Sequence, residues 1–304
     1  MPQKIVLVST AAHKKQFSSA LARVHIIEID IPFVFDVEIG RIVVIQNEIM
    51  IEIKSTDSVI FIPFHSPLES VVRTKASNTT QNVMSFLCAI KNCCNTIRND
   101  PFLWLSAYDK TSLIRLSSEF PVIPETILCT EPDRWRKKWE RQAFIIKSGY
   151  GVRKARNGKH VQATLLFGDV GLTEVPKHRY ELQKYIRPTK EIRTYTTRSH
   201  GICRVVSLEM PTGTELVPDW RDEMLEENFN VSKYVNDDVN KLSADIIKKL
   251  GLYYLCLDII RDDSKFWVID VNPHGSWHWL PPNFACAVEE MVSALVLDRI
   301  ESAD

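Results

Sequence analysis

The stretch LDIIRDDSKFWVIDVN, Leu257 to Asn272, restricts the fold more than any other part of the chain. Two apolar, β-branched runs flank a polar tip at Asp262-Asp263-Ser264, the pattern of a β-hairpin. Acids also stand inside the runs. Successive side chains of a strand point to opposite faces, so Asp270 and Asn272 share one face. A loop of three or five residues centred on Ser264 sets Asp258 directly opposite Asp270. Asp258, Asp270 and Asn272 then place three oxygen groups on one side of a two-stranded ladder, a set suited to a hard cation such as Mg²⁺. Adjacent buried carboxylates repel unless a cation lies between them. The other reading is that one Asp caps the turn and the pair is solvated. Leu257, Ile259, Val268, Ile269 and Val271 argue against it, because they mark interior strands where unpaired acids are unfavourable.

Composition narrows the class. The chain has 304 residues, 45% apolar and 25% charged, which fits a globular α/β enzyme and excludes wholesale disorder. Lys and Arg balance Asp and Glu at 38 each, which argues against a nucleic-acid partner. Yet Arg134 to Arg204 holds 18 basic and 5 acidic residues, leaving the remainder net negative. Such a segment is either solvated surface or a cleft for a polyanion such as ATP. The seven cysteines form no CxxC pair, which points to a reducing compartment without a zinc site or a disulfide framework. MPQKIVLVST enters a strand directly, and no apolar run of about 18 residues follows. A cytoplasmic protein with no membrane association is expected.

The first hundred residues read as mixed α/β. Ile5–Val8, a short helix over Phe17–Arg23 and a strand over Val24–Asp30 form a small βαβ unit. Arg41–Gln46 and Ile49–Lys54 pair around Asn47, Val59–Pro63 is a buried strand, and Asn82–Asn95 is apolar at helical spacing. A helix is expected over Asp109–Phe120, then strands over Thr126–Cys129 and Ala143–Lys147. A basic helix starts at Pro132–Trp139. Strand Leu182–Ile186 and a hairpin, Glu191–Arg198 with Ile202–Glu209, precede an amphipathic helix, Val239–Leu250, with Gly251 as its cap. A closing helix spans Phe284–Ile300.

Lys147 ends an apolar strand, FIIK, and runs into SGYGVRKARNGK. Three of the ten glycines, Gly149, Gly151 and Gly158, crowd into that loop. Free backbone N–H groups and a nearby lysine can close over phosphates, although an ordinary surface hairpin has the same look. Neither a Walker A loop nor a Rossmann fingerprint is present. Lys110, before a helix, reads in isolation as solvent-facing. Glu191 and Arg193 share a face in EIRTYTT, as a plain cross-strand ion pair also would.

Taken in order, DK (Asp109-Lys110), PVIPET, FIIK with its glycine loop, LQKYI, EIR and D…DVN resemble the ATP-grasp superfamily across residues ~106–280. VPDWR, Val217 to Arg221, and VNPHGSWHWL, Val271 to Leu280, are similar to the DWR and NPxGxW motifs of RimK-like graspetide (microviridin-type) peptide maturases. The resemblance implies an α+β ATP-grasp architecture: an N-terminal pre-ATP-grasp domain (1–105), a central subdomain with the glycine loop (106–182) and a C-terminal subdomain with the Mg-binding hairpin (183–304). It implies ATP with Mg²⁺, as two ions. Lys110 and Lys147 would contact phosphate, and Gly149 and Gly151 would belong to the mobile loop. Gln183, Lys184, Tyr185 and Ile186 would line the adenine, Tyr185 and Ile186 through backbone groups. Glu191 would lie near the ribose or substrate, where the family often has Asp. Arg193 and Arg221 would face the reacting carboxylate or acyl phosphate, and Asp258, Asp270 and Asn272 would hold the metal. Asp270 stands where Glu is usual, His274 where Asn is frequent and Ser276 where Gln is common.

The function so implied is ATP-dependent activation of a peptide Asp or Glu side chain. The acyl phosphate is then joined to a Ser or Thr hydroxyl or a Lys amine, cyclising a ribosomal precursor peptide with an acidic core and a leader segment. A RimK-like ligase adding an amino acid to a chain end or small molecule is the alternative. A non-catalytic nucleotide-binding regulator is a third reading, and a homodimer is compatible with all three.

Overall fold

The computed structural model describes residues 5–9, 24–29, 33–62, 77–131, 135, 144–148, 153–154, 160–161, 163–166, 180–212, 230–277 and 279–297. The expected helix over Phe17–Arg23 and nearly all of the one starting at Pro132 lie outside the described residues. In chain order the elements begin β1 (Ile5–Ser9), β2 (Val24–Glu28), β3 (Val34–Glu38), β4 (Arg41–Gln46), β5 (Ile49–Lys54) and β6 (Ser58–Phe61). Next come α1 (Ser77–Cys93), β7 (Thr96–Arg98), α2 (Pro101–Tyr108), α3 (Thr111–Ser117) and β8 (Thr126–Cys129). Then follow β9 (Phe144–Ser148), β10 (Arg153–Lys154), β11 (His160–Val161), β12 (Ala163–Leu166) and β13 (Tyr180–Lys184). The last are β14 (Lys190–Ser199), β15 (Ile202–Met210), β16 (Ser232–Lys233), α4 (Asp237–Leu250), β17 (Tyr254–Arg261), β18 (Phe266–Asn272) and α5 (Pro282–Leu297).

The first sheet is parallel, in the order β2-β1-β6-β7, and a β3-β4-β5 meander stands beside it. Asn47 and Glu48 turn β4 into β5 with φ of 49° and 64°. A type I′ hairpin turn needs positive φ at both central residues, which matches the strand twist. A second sheet runs β12-β9-β13-β8, and a third runs β16-β15-β14-β17-β18, both antiparallel. All seven cysteines are free thiols.

Helix α4 has sharply defined ends. Asn236 accepts a hydrogen bond from the Val239 N–H at 3.1 Å, and Gly251 takes the left-handed conformation at φ 70°. The Leu252 N–H then reaches the Ile247 carbonyl at 3.1 Å, closing the last turn. Val239, Ile246, Ile247 and Leu250 form its buried stripe. That stripe shares a core with Ile192, Leu255, Leu257, Ile259, Val268 and Val271 of the third sheet. The opposite face carries a second core, Tyr195, Tyr254 and Cys256 with Trp277 and the Val288, Val292 and Val296 stripe of α5, and beside it the polar residues of the sheet.

Several boundaries differ from the sequence reading: α1 starts at Ser77 instead of Asn82, and β13 runs Tyr180–Lys184 instead of Leu182–Ile186. The helix expected over Asp109–Phe120 is shorter, Thr111–Ser117, and α2 precedes it. Pro101 starts α2, and Asp100 caps it by accepting from the Phe102 N–H at 2.8 Å. The closing helix runs Pro282–Leu297. The loop of the acidic hairpin has four residues, Asp262–Lys265, since Arg261 pairs with Phe266. A loop of that length alone would set Asp258 against Ile269. A β-bulge at Ile269 adds one residue to β18, and Asp258 faces Asp270 after all. The Asp that holds the turn is Asp262, outside the ladder pair. Its carboxylate accepts from Ser264 N, Lys265 N and Trp267 Nε1, each at 2.7 Å. Those bonds hold its pKa below the usual carboxylate range.

Distant segments are joined by buried polar groups. Asn99, at φ 52°, accepts from the Tyr254 N–H at 2.9 Å and so ties the end of the first sheet to the start of β17. After β18, aromatic donors take the carbonyls of Pro273, Gly275 and Ser276. Trp104 Nε1 donates to Pro273 O at 3.0 Å, Tyr195 Oη to Ser276 O at 3.0 Å, and Trp279 Nε1 to Ser276 O at 2.8 Å. Tyr254 Oη donates to Gly275 O. This clamp presses Gly275 onto Cys256, where an added Cβ would stand 2.2 Å from the Cys256 Cβ. No side chain fits without moving backbone. Gly275→Ala is therefore expected to destabilise the protein by about 1–3 kcal/mol, as overpacking does. The measurement is a lower urea midpoint at unchanged slope. An unchanged midpoint would mean that the loop is free to shift.

Candidate active site

Pairing of β17 with β18 sets Asp258 opposite Asp270 and Cys256 opposite Asn272. Pairing of β14 with β17 sets Arg193 opposite Asp258. One face of the sheet thus carries Glu191, Arg193, Asp258, Asp270 and Asn272, while Ile192, Leu257 and Val271 fill the core behind them. Glu191, Arg193, Asp258 and Asn272 are all buried.

Two cations answer the carboxylates. Lys110, which begins α3, forms an ion pair with Asp270 Oδ1, and its Nζ lies 3.5 Å from Val271 O. Burial works against this ammonium, but Asp270, Glu181 and Asp258 outweigh it and raise its pKa. The Arg193 Nε lies 3.6 Å from Asp258 Oδ1 and donates to Cys256 Sγ at 3.1 Å. Its guanidinium sits 5.4 Å from the Trp279 ring and 5.8 Å from that of Tyr195. Burial opposes this charge too, and Asp258 with Cys256 holds the pKa well above the ordinary value. Burial pushes the Cys256 thiol up to about 12, so it stays protonated as a soft acceptor for Arg193.

The donor chemistry fits a hard cation. Asn272 Oδ1 is buried and accepts no hydrogen bond among the described residues. It stands across the ladder from Cys256, one position along from the Asp258–Asp270 pair on the same face. Two carboxylates and an amide oxygen are oxygen ligands of the kind Mg²⁺ takes. Among the described residues there is no group of three or more His, Cys, Asp or Glu able to hold a metal, and the third oxygen here is the Asn272 amide.

The other candidates fall as follows. Lys147 lies in β9, where the register sets it opposite Glu181 on β13. Gly149, Gly151 and Arg221 lie outside the described residues. Gln183 is fully buried, and its Nε2 donates to Thr126 Oγ1 at 3.1 Å and to Ile269 O at 3.3 Å. Lys184 is exposed, and its backbone N–H donates to Glu125 O at 2.9 Å. Tyr185 and Ile186 are partly buried in the segment leading to β14. Sequence reasoning missed Glu181, buried at 1% exposure two residues before Gln183. Its signal was the strand alternation that puts both polar residues on one face of YELQK. It also missed Trp104 and Tyr108, which stack on each other and meet the His274 ring edge-on at 6.1 and 5.0 Å.

No protein-family model and no curated protein matches the sequence. Solved structures do. A RiPP-associated ATP-grasp ligase from Chryseobacterium gregarium, in complex with ADP and a leader and core peptide, superposes with a TM-score of 0.74 at 14% identity, over 98% of this chain and 97% of that one. The macrocyclase MdnC from Microcystis aeruginosa, bound with the precursor peptide MdnA, gives 0.71 at 14% identity, covering 97% and 100%. The ATP-grasp ligase PsnB, with a phosphomimetic variant of a minimal precursor, Mg and ADP, gives 0.66 at 12% identity, covering 97% and 99%. Likeness over nearly the whole of every chain shows that this protein has the α/β fold of the ATP-grasp ligases.

Proposed function

We propose that the protein is an ATP-dependent ligase that joins side chains within a ribosomally made precursor peptide. The observation that carries this reading is the oxygen face of Asp258, Asp270 and Asn272 with Lys110 and Arg193 beside it. In the proposed reaction a peptide Asp or Glu carboxylate oxygen attacks the γ-phosphorus of ATP. The bond to the β-phosphate oxygen breaks, leaving an acyl phosphate and ADP. A Ser or Thr hydroxyl or a Lys amine then attacks the acyl carbon, loses its proton and expels inorganic phosphate.

The chain's own part is positioning and neutralisation of charge. Asp258, Asp270 and Asn272 would hold Mg²⁺, as two ions, which when bound offsets the charge of the phosphates. Lys110 and Lys147 contact phosphate, and Gly149 and Gly151 supply backbone N–H groups over it. Lys184, Tyr185 and Ile186 line the adenine, and Glu191 lies toward the ribose or substrate. Arg193 and Arg221 hold the reacting carboxylate, Arg193 with its guanidinium already oriented by Trp279 and Tyr195. The division at 105 and 182 separates the parts that carry these groups. The structural neighbours hold ADP, Mg and precursor peptides, which supports the same cargo here. Among the described residues no helix is long and apolar enough to cross a membrane, and a cytoplasmic site of action goes with this reading.

Mass spectrometry of a co-expressed candidate precursor tests the function. Loss of one water per ring supports it, added residues favour the chain-extending ligase, and no modification with no peptide-dependent ADP release favours a regulator. Asp270→Asn is expected to lower turnover roughly 100-fold or more while the fold survives, since even partners of metal ligands are worth 10–100-fold. A near-wild-type rate at millimolar Mg²⁺ would sink the ligand assignment. Arg221→Lys is expected to keep ATP binding and lose peptide modification by about 10-fold or more, because lysine lacks the planar fork that grips a carboxylate. Modification at the wild-type rate would make the DWR run a structural anchor only.

A further inference from the structure

We infer that Gln183 is a positioning residue for the acidic hairpin, acting through the β-bulge at Ile269; the inference rests on the ligase reading above. A fully buried primary amide is under pressure to use its donors. Gln183 spends its Nε2 on two elements at once, Thr126 Oγ1 on β8 and the Ile269 carbonyl on β18. Ile269 is the residue that the bulge leaves without a ladder position opposite β17. Its carbonyl accepts from Gln183 Nε2, a donor that belongs to another sheet.

The neighbouring backbone is pinned in the same way. Val268 N donates to Val122 O at 2.8 Å, and Lys110 Nζ stands 3.5 Å from Val271 O. Residues 268 to 271 are thus held from the side away from β17 by side chains or backbone of three other segments. The bulge decides the register: with it Asp258 faces Asp270, and without it Asp258 faces Ile269. An amide that fixes the Ile269 carbonyl fixes the peptide immediately before Asp270. β13 also neighbours β9, which ends one residue past Lys147, so the same amide couples the lysine-bearing sheet to the carboxylate pair. This differs from the adenine-lining role that the resemblance implies for Gln183.

The test uses the full chain and two variants, Gln183→Met, which keeps volume and removes the donors, and Thr126→Val, which removes the second acceptor. Mn²⁺ binding is read by electron paramagnetic resonance with saturating ADP. ADP affinity is read separately in EDTA by calorimetry. Gln183→Met is expected to weaken Mn²⁺ by about 10-fold or more, the range seen when a partner of a metal ligand is lost, with ADP affinity in EDTA held within about 2-fold. Thr126→Val is expected to shift Mn²⁺ the same way by less. Unchanged Mn²⁺ affinity in Gln183→Met overturns the inference. So does a loss of ADP affinity in EDTA with Mn²⁺ affinity retained, which would place Gln183 at the nucleotide. If Gln183→Met does not fold, Thr126→Val decides, and unchanged Mn²⁺ binding there overturns it. Wild-type protein that binds neither ADP nor Mn²⁺ overturns the ligase reading itself.

Discussion

Asp258 and Asp270 face each other across a ladder whose back is packed against the core. Two carboxylates so placed repel, and the interior gives them little water to screen the repulsion. In the protein alone Lys110 answers Asp270, and Arg193 lies against Asp258. These cations come from separate elements, the start of α3 and the middle of β14. The electrostatic requirement of the hairpin therefore ties together segments 83 and 160 positions apart in sequence (Lys110 to Arg193, and Lys110 to Asp270). Breaking one partner of such a set leaves a buried charge unanswered, which is why these positions hold the fold and the chemistry at once.

The surroundings restrict Arg193 further. Trp279 and Tyr195 lie close enough for their rings to attract its guanidinium, and Cys256 supplies a sulfur acceptor for its Nε. Cys256 in turn leaves space only for a glycine at 275. That glycine is held by the same hydrogen-bonded loop that brings Trp279 over Arg193. Packing, loop geometry and the orientation of one buried cation are thus a single arrangement, built from NPHGSW and the donors that take its carbonyls.

Much of this could be read from periodicity. The alternation in β14 and β17, the Gly251 cap of α4 and the turn at Asn47 follow from local chemistry, and the sequence reading placed them within a few residues. The hairpin register came out right for an incomplete reason. Its loop is longer by one residue than a loop of three, and the bulge at Ile269 offsets the difference. A hint was present: Val268 and Val271 both point into the core at a spacing of three, which a regular strand does not allow. Helix α2 escaped notice because PFLWLSAY is apolar nearly throughout, so it lacks the polar face by which a helix is recognised.

By itself the sequence determined an α/β chain with an acidic hairpin, the order of its lysines and arginines, and the face on which strand residues stand wherever the alternation is unbroken by the bulge at Ile269. These depend on local backbone geometry, which a few neighbouring residues dictate. Only the tertiary structure decided that Lys110 meets Asp270, that Glu181 is buried near it, and that Gln183 reaches the bulge. Each is a contact between segments remote in sequence. Such contacts depend on how sheets and helices pack to bury their apolar faces, and no local pattern records that.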